Sequence, residues 1–305
     1  MSKELTFIDA IFIGGTGRSG TTILGKLLGR HHQIQLAKPV EIKFLTAGTG
    51  LLDLNRNALI SRAGKITLLR NGNFLKFQKS VNQKWWERDG KKGGKVGLSS
   101  GISRSSWEVL ESELGKNLRI DRTMACQSFF RSFLDLQLLN ESAPNSKKFW
   151  VDTTPPNLMR ADEIARLLPG CKFIHIMRDG RDVASSVIKE RWGPASFDDA
   201  LIWWSNRMKT ILQNTQELND QVLHIWFEDL VHFNRDVTLR KVLNFLEVSE
   251  DDGIRKYFDE IVIPASANSG RWRNEVSDKE RCARRYEGLI KKLVERGLLE
   301  PMTQI

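Results

Sequence analysis

The stretch IFIGGTGRSGTTILGKLL, residues 11–28, reads as a strand, a phosphate-binding turn and a helix. Ile11, Phe12 and Ile13 form an apolar run that stops at Gly14 and Gly15. Gly17 and Gly20 follow, and Ile23, Leu24, Leu27 and Leu28 then recur at helical spacing. Glycines let a backbone curl until several N–H groups converge on one anion, and a helix N-terminus adds its partial positive charge. Arg18, Ser19, Thr21 and Thr22 place side-chain donors in the same turn. The nucleotide-binding pattern G-x-x-x-x-G-K-S/T is met at Gly15 and Gly20, but Thr21 stands in the lysine position. That lysine reaches the terminal phosphates of a nucleoside triphosphate. Its absence argues against a kinase or NTPase and leaves open which anion the turn holds.

The 305-residue chain is long enough for one sizeable α/β domain with an inserted segment. Forty per cent hydrophobic residues and nine tryptophans indicate a globular chain rather than a disordered one. The net charge of +10 suits a polyanionic ligand or an anionic surface. No nucleic-acid-binding motif accompanies it, so nucleic acid is not an expected partner. Cys126, Cys171 and Cys282 have neither metal-site nor disulfide-framework spacing, and read as free thiols of a reducing compartment. No bound metal is expected. The charged start MSKELTF lacks a signal-peptide core, and no apolar run approaches the roughly 20 residues of a membrane span. The expectation is a cytoplasmic protein without stable membrane insertion.

Further strands are expected at residues 33–36, 148–151, 171–177 and 221–227, and helices at 106–114, 121–139, 161–168 and 196–218. Leu239, Val242, Leu243 and Leu246 line another helix. A closing helix is expected over 277–296, with Ser277 as N-cap and Glu280 three residues on. Residues 48–62 read as irregular or weakly helical, 65–83 as mixed, and 87–97 (ERDGKKGGKVG) as a mobile basic loop. Alternating strands and helices imply a parallel, doubly wound sheet of P-loop type, flanked by helices. Residues 45–145 read as a mainly helical inserted cap within a single domain spanning 1–305, and acceptor specificity is expected there. Ligands of such sheets sit beyond the strand C-termini. The glycine turn and RDGRDVASS, residues 178–186, both fall at that edge. In the second segment Arg178 leaves a strand end and Ser186 lies inside the next helix, for which Asp182 is a candidate cap. Arg178 and Ser186 suit one phosphate. The competing assignment pairs Arg178 with Asp179 or Asp182.

Together the two segments resemble those of the sulfotransferases that use 3′-phosphoadenosine 5′-phosphosulfate (PAPS). In that family a GRSGTT-like turn, here Gly17, Arg18, Ser19, Gly20, Thr21 and Thr22, holds the 5′-phosphosulfate. An R-x7-S segment, here Arg178 and Ser186, holds the 3′-phosphate. The missing lysine and the second anion grip then have one explanation, because PAPS carries two separate anionic ends and no magnesium-held triphosphate. VEIKF, residues 40–44, is similar to a segment of bacterial and tyrosylprotein-type members whose glutamate is the catalytic base. The resemblance thus implies Glu41 as base, with Arg18 and Lys43 beside the leaving group. Some relatives carry a lysine immediately before a T-P pair; here Thr153 stands there. WFEDL, residues 226–230, resembles the family's Y-E-D-L with Phe227 in place of tyrosine. SGRWR, residues 269–273, resembles a late loop that closes on the 3′-phosphate and adenine, which brings in Arg271, Trp272 and Arg273.

The resemblance covers residues 8–48 and 148–275. It implies sulfuryl transfer from PAPS to an acceptor hydroxyl of a carbohydrate, lipid or small metabolite, with PAP as product. The alternatives are a P-loop kinase or NTPase, a non-catalytic PAP-binding protein, and a basic membrane-surface protein. His175 reads as a core histidine inside an apolar strand, and Trp203 and Trp204 as helix core. Trp85 and Trp86 flank the basic stretch and are weighed between packing and substrate contact, with packing favoured.

Overall fold

The computed structural model describes residues 9–55, 61–62, 65–66, 72–87, 96–139 and 147–300. Residues 1–8 and most of the basic stretch 87–97 lie outside the described residues, as do parts of 48–62 and 65–83.

Five strands form one all-parallel sheet: β1 (Asp9–Gly14), β2 (Ile34–Leu36), β3 (Phe149–Asp152), β4 (Lys172–Met177) and β5 (Val222–Trp226). Their order across the sheet is β2-β3-β1-β4-β5. Period-2 alternation assigns the two faces. Ile11, Ile13, Val151, Ile174 and Ile176 point to one core. Phe12, Trp150 and Phe173 point to the other. The central strands are apolar on both sides because helices cover both faces. The principal helices are α1 (Thr21–Leu28), α2 (Arg104–Asn117), α3 (Arg122–Leu139), α4 (Gly180–Val187), α5 (Phe197–Thr215), α6 (Arg235–Phe245), α7 (Asp252–Ile261) and α8 (Lys279–Glu295). A short antiparallel pair, Ser61–Arg62 with Lys65–Ile66, stands apart from the sheet.

Two cap assignments from sequence move. Asp179, not Asp182, caps α4, its side chain accepting from the Arg181 N–H. Asp182 instead accepts from the backbone of Gly270 and Trp272, 88 and 90 residues away. At α8 the cap is Asp278, one residue past Ser277; it accepts from the Arg281 N–H. Glu280 then lies too early for a capping box and pairs with Arg284 at 3.4 Å. In each case two short polar residues within three positions of each other could serve as the cap, and the helix starts at the one whose side chain reaches the first-turn N–H.

The described helices of segment 45–145 share a core with the sheet. Trp107 of α2 and Phe129, Phe130 and Phe133 of α3 join Phe12, Phe44 and Trp150 in one cluster. Trp107 has no solvent exposure and meets Phe44 edge-on at 5.6 Å and Phe129 at 5.4 Å. Its indole donates to Glu111 at 3.4 Å. Trp107→Ala should cost about 3–5 kcal/mol through the cavity left behind. The expected result is a single melting transition lowered by roughly 10 °C. An early separate transition for the segment, with the sheet unaffected, would show that the two parts do not unfold together.

Candidate active site

All five strands run parallel, so their C-terminal ends, and the loops that leave them, collect along one edge. The loop after β1 is the glycine turn. Gly17 and Gly20 have φ of 94° and 101°, conformations that side-chain-bearing residues rarely adopt. At Gly20 a Cβ would also lie 2.5 Å from the Phe227 ring. Among the described residues no acceptor takes the backbone N–H of Gly17, Arg18, Ser19, Gly20, Thr21 or Thr22. Those donors converge at the start of α1, where the helix dipole favours an anion. Arg18 itself has φ of 59°, a strained setting for a non-glycine residue. Its Nε donates to the Ser186 Oγ at 2.8 Å, and its Nη1 lies 3.7 Å from Glu190. Arg18 and Ser186, 168 residues apart, thus meet directly.

Arg178 leaves the end of β4 and is nine-tenths buried. It makes no ion pair with Asp179 or Asp182. Its guanidinium donates to the carbonyls of Arg18 (3.1 Å), Ala267 (2.9 Å) and Asn268 (3.2 Å), and lies 4.7 Å over the Phe227 ring. Its Nε is buried with no partner among the described residues. Burial lowers its pKa, partly offset by Asp182 and Glu228 nearby. Arg181, by contrast, is committed to Asp179 at 2.7 Å and stacks on Trp272 and Tyr286. Asp182 holds the backbone of the late loop, and Arg178 holds its start, so both ends of segment 267–272 are tied to the junction of β4 and α4. Glu228 follows Phe227 and accepts from the Asp179 N–H at 3.0 Å. Burial pushes its carboxyl up to about 7.

The loop after β2 carries Glu41 and Lys43, both half-buried, with Lys43 Nζ 3.3 Å from Glu41 Oε2. Lys43 has φ of 50°. The end of β3 holds this loop in place. Asp152 accepts from the Ile42 N–H at 3.1 Å and from Thr154 Oγ1 at 2.9 Å, and also from the Asn157 side-chain amide. Asn157 in turn accepts from Thr46 at 2.6 Å. Thr153 donates its N–H and its hydroxyl to the Val40 carbonyl, while its methyl packs where a Cβ on Gly25 would fall. Thr153 is therefore directed at the loop and α1, and Thr154 rather than Thr153 lines the cleft.

Burial pushes the Asp152 carboxyl up to about 7, and the Glu41 charge acts in the same direction. An unfolded aspartate titrates near 4. Between about pH 4 and 7 the folded chain therefore keeps a proton that the unfolded chain has released, and stability falls as pH rises through that window. Asp152→Asn removes this contribution, because an amide does not titrate, and the fold is kept because the Asn157 amide can rotate to accept from the new amide and donate to Thr46. Urea unfolding at pH 5 and pH 8 should show the loss of stability reduced by an amount on the order of 2–4 kcal/mol. An unchanged pH slope would assign the effect to the other carboxyls that burial raises, Glu228 and Asp182 among them.

These loops enclose a cleft of about 770 Å³, within the range of small-molecule sites. Gly17, Arg18, Gly20, Thr21, Thr22, Glu41, Lys43, Arg178, Ser186, Phe227 and Arg271 all line it. Three residues named from sequence do not. Ser19 is fully buried behind the turn, Trp272 is buried beneath Arg181, and Arg273 is exposed and stacks on Trp272 at 4.9 Å. Trp85 and Trp86 pack with Phe77 and Trp107 and do not reach the cleft. From segment 45–145 the described lining residues are Thr46 and Ala47. Glu190, Trp192 and Arg207 line the cleft without having been singled out from sequence. For Arg207 a signal existed: it interrupts the edge of the stripe formed by Trp204, Met208 and Ile211 in α5. His175 is buried as expected, but its Nδ1 meets the Nδ1 of His224 on β5 at 3.0 Å.

An open parallel α/β sheet with an anion-binding turn at its C-terminal edge defines a class of phosphate-ligand proteins. Within that class, the sequence profile of the sulfotransferase family matches residues 83–252, and the chain belongs to that family. The profile match does not include the glycine turn or Glu41, so those segments rest on the motif resemblance. The chain is 22% identical over 249 residues to Protein-tyrosine sulfotransferase 1 of Danio rerio, covering 80% of this chain and 54% of that protein. It is 21% identical over 250 residues to the Protein-tyrosine sulfotransferase of Drosophila melanogaster, covering 80% and 39%. It thus spans about half the length, or less, of these curated relatives. Among solved structures, the sulfotransferase domain from the Synechococcus PCC 7002 olefin synthase superposes with a TM-score of 0.53 at 16% identity, covering 94% of each chain. The sulfotransferase domain from the curacin biosynthetic pathway gives 0.50 at 17%, covering 86% and 82%. Both likenesses concern the fold. Among the described residues no helix is long and apolar enough to cross a membrane.

Proposed function

We propose that this protein transfers a sulfuryl group from PAPS to an acceptor hydroxyl, without a metal ion. One observation carries the reading. A glycine turn with unpaired N–H donors and no P-loop lysine shares its cleft with Arg178, a buried arginine without a carboxylate ion pair. Two separate anion grips suit a ligand with two separate anionic ends. The turn amides and the Thr21 and Thr22 hydroxyls receive the 5′-phosphosulfate. Arg178 and Ser186 receive the 3′-phosphate, with Arg271 at the rim. Phe227 stacks under Arg178 and offers its ring, without a hydroxyl, to the adenine side.

In the reaction the acceptor oxygen attacks sulfur in line with the bridging oxygen. A new S–O bond forms as the S–O bond to the 5′-phosphate breaks, and the acceptor proton passes to the Glu41 carboxylate. Charge builds on the bridging oxygen, and PAP departs with that electron pair. Arg18 and Lys43 stand beside this oxygen and stabilise it electrostatically. Both sit in left-handed backbone conformations, whose cost of roughly 1–3 kcal/mol fits residues held for chemistry. Arg18 carries more of this work because Thr153 is turned towards Val40. Energy from the remote 3′-phosphate fixes the donor for attack.

Calorimetry tests the donor. PAP should bind in the absence of magnesium, and ATP with magnesium should bind far more weakly. The reverse order would favour a kinase. Labelled sulfate transferred from PAPS to any hydroxyl acceptor separates an enzyme from a non-catalytic PAP-binding protein.

A further inference from the structure

The glycine turn has two shoulders. On one, Arg178 donates to the Arg18 carbonyl. On the other, Arg207 of α5 reaches the Thr16 carbonyl over a long 3.4 Å contact. Arg207 lies 4.4 Å over the ring of Trp203, and Trp192 is tilted against that ring at 6.1 Å. Helix α5 also donates from Asn214 to the Met159 carbonyl. This places it against the segment that follows β3, on the Glu41 side of the cleft. Thr154, Pro155 and Pro156 line that same wall.

Arg207 is half-buried, and burial lowers its pKa with no neighbouring charge to compensate. Other cations of the cleft are matched: Arg18 by Glu190 at 3.7 Å, Lys43 by Glu41 at 3.3 Å and Arg271 by Glu275 at 2.9 Å. Arg178 has Asp182 and Glu228 nearby. Among the described residues Arg207 has no carboxylate within ion-pair distance. A partly desolvated guanidinium without a counter-charge is unfavourable unless a ligand supplies one. Both anionic ends of the donor are already accommodated, by the turn and by Arg178 with Ser186.

We propose that Arg207, seated on Trp203, anchors an anionic group of the acceptor, so that the substrate is a hydroxyl compound bearing a carboxylate or a phosphate. Trp192 and Trp203 border the anchor with aromatic surface and shield the ion pair from water. Specificity then resides in the segment between α4 and α5 and in α5 itself, rather than in segment 45–145. This inference rests on reading the cleft as a PAPS site, which PAP calorimetry on the wild type tests separately.

Matched acceptors test it: 4-nitrophenyl β-D-glucoside against the corresponding glucuronide, and glucose against glucose 6-phosphate. Each is measured by labelled sulfate transfer from PAPS and by binding to the PAP-loaded protein. The wild type should favour the anionic member of a pair by about ten- to a hundredfold, the size of one charged hydrogen-bonded contact. Which pair shows the larger effect distinguishes carboxylate from phosphate. Arg207→Gln should bring the members of a pair within about threefold while PAP affinity stays within about twofold. Arg207→Lys should keep part of the preference. Equal use of neutral and anionic acceptors by the wild type, or a preference that survives Arg207→Gln, overturns the proposal. A tenfold loss of PAP affinity in Arg207→Gln also overturns it, by assigning Arg207 to the donor.

Discussion

Arg178→Ala is expected to weaken PAP binding by roughly two to four orders of magnitude. A guanidinium that gives two charged hydrogen bonds to a phosphate contributes about 1.5–3 kcal/mol through each, and about 1.4 kcal/mol is a factor of ten. The geometry adds to the effect. Arg178 also binds the carbonyls of Ala267 and Asn268, so its removal frees one end of segment 267–272, which Asp182 holds at the other. The contrast is with Arg181, three residues on. Its guanidinium is occupied by Asp179 at 2.7 Å, so Arg181→Ala should lower stability and leave PAP affinity nearly unchanged. Titration calorimetry with PAP separates the two arginines. A loss below threefold for Arg178→Ala, in a protein that still melts cooperatively, would remove it from the 3′-phosphate site.

The sequence did not distinguish these two arginines by local rules, since both flank Asp179 in RDGRD. The spacing to Ser186 favoured Arg178; in the structure strand β4 delivers Arg178 into the edge, whereas Arg181 already belongs to α4 and faces Tyr286. Local grammar was sufficient for the glycine turn, because left-handed backbone and close approach to Phe227 leave few residues other than glycine. It was sufficient for β1, β3 and β4 too, where apolar runs are bounded by turn residues. It was insufficient where partners come from far along the chain. Asp182 resembles a local helix cap but serves Gly270 and Trp272. Asp152, inside a strand, gives no sign of fixing Ile42, 110 residues earlier. Arg207 left a trace only as a charge on the margin of an apolar stripe. The expectation that acceptor contacts lie in 45–145 followed from the lack of motifs there. The aromatic rings of α2 and α3 explain that lack, since packing against Phe12 and Trp150 needs apolar bulk and no particular motif.

The second large effect concerns the proton. Glu41→Gln should lower turnover by about 10²- to 10⁴-fold, the usual contribution of a positioned general base. PAP affinity should stay within about twofold, because the donor's anionic ends are held elsewhere in the cleft. Glutamine preserves length and can still accept from Lys43 at the 3.3 Å position of the carboxylate. The loop should therefore keep its shape, fixed independently by Asp152 and Thr153. A loss of rate at unchanged donor affinity is the signature of an interaction made in the transition state. The cleft contains its own control. Among the described lining residues the only other carboxylate is Glu190, 3.7 Å from Arg18. Glu190→Gln should alter turnover far less, because its carboxylate acts through Arg18 rather than on the acceptor. If instead Glu190→Gln abolishes transfer and Glu41→Gln does not, the base lies on the Arg18 side of the turn. One pair of variants thus decides the proton's destination.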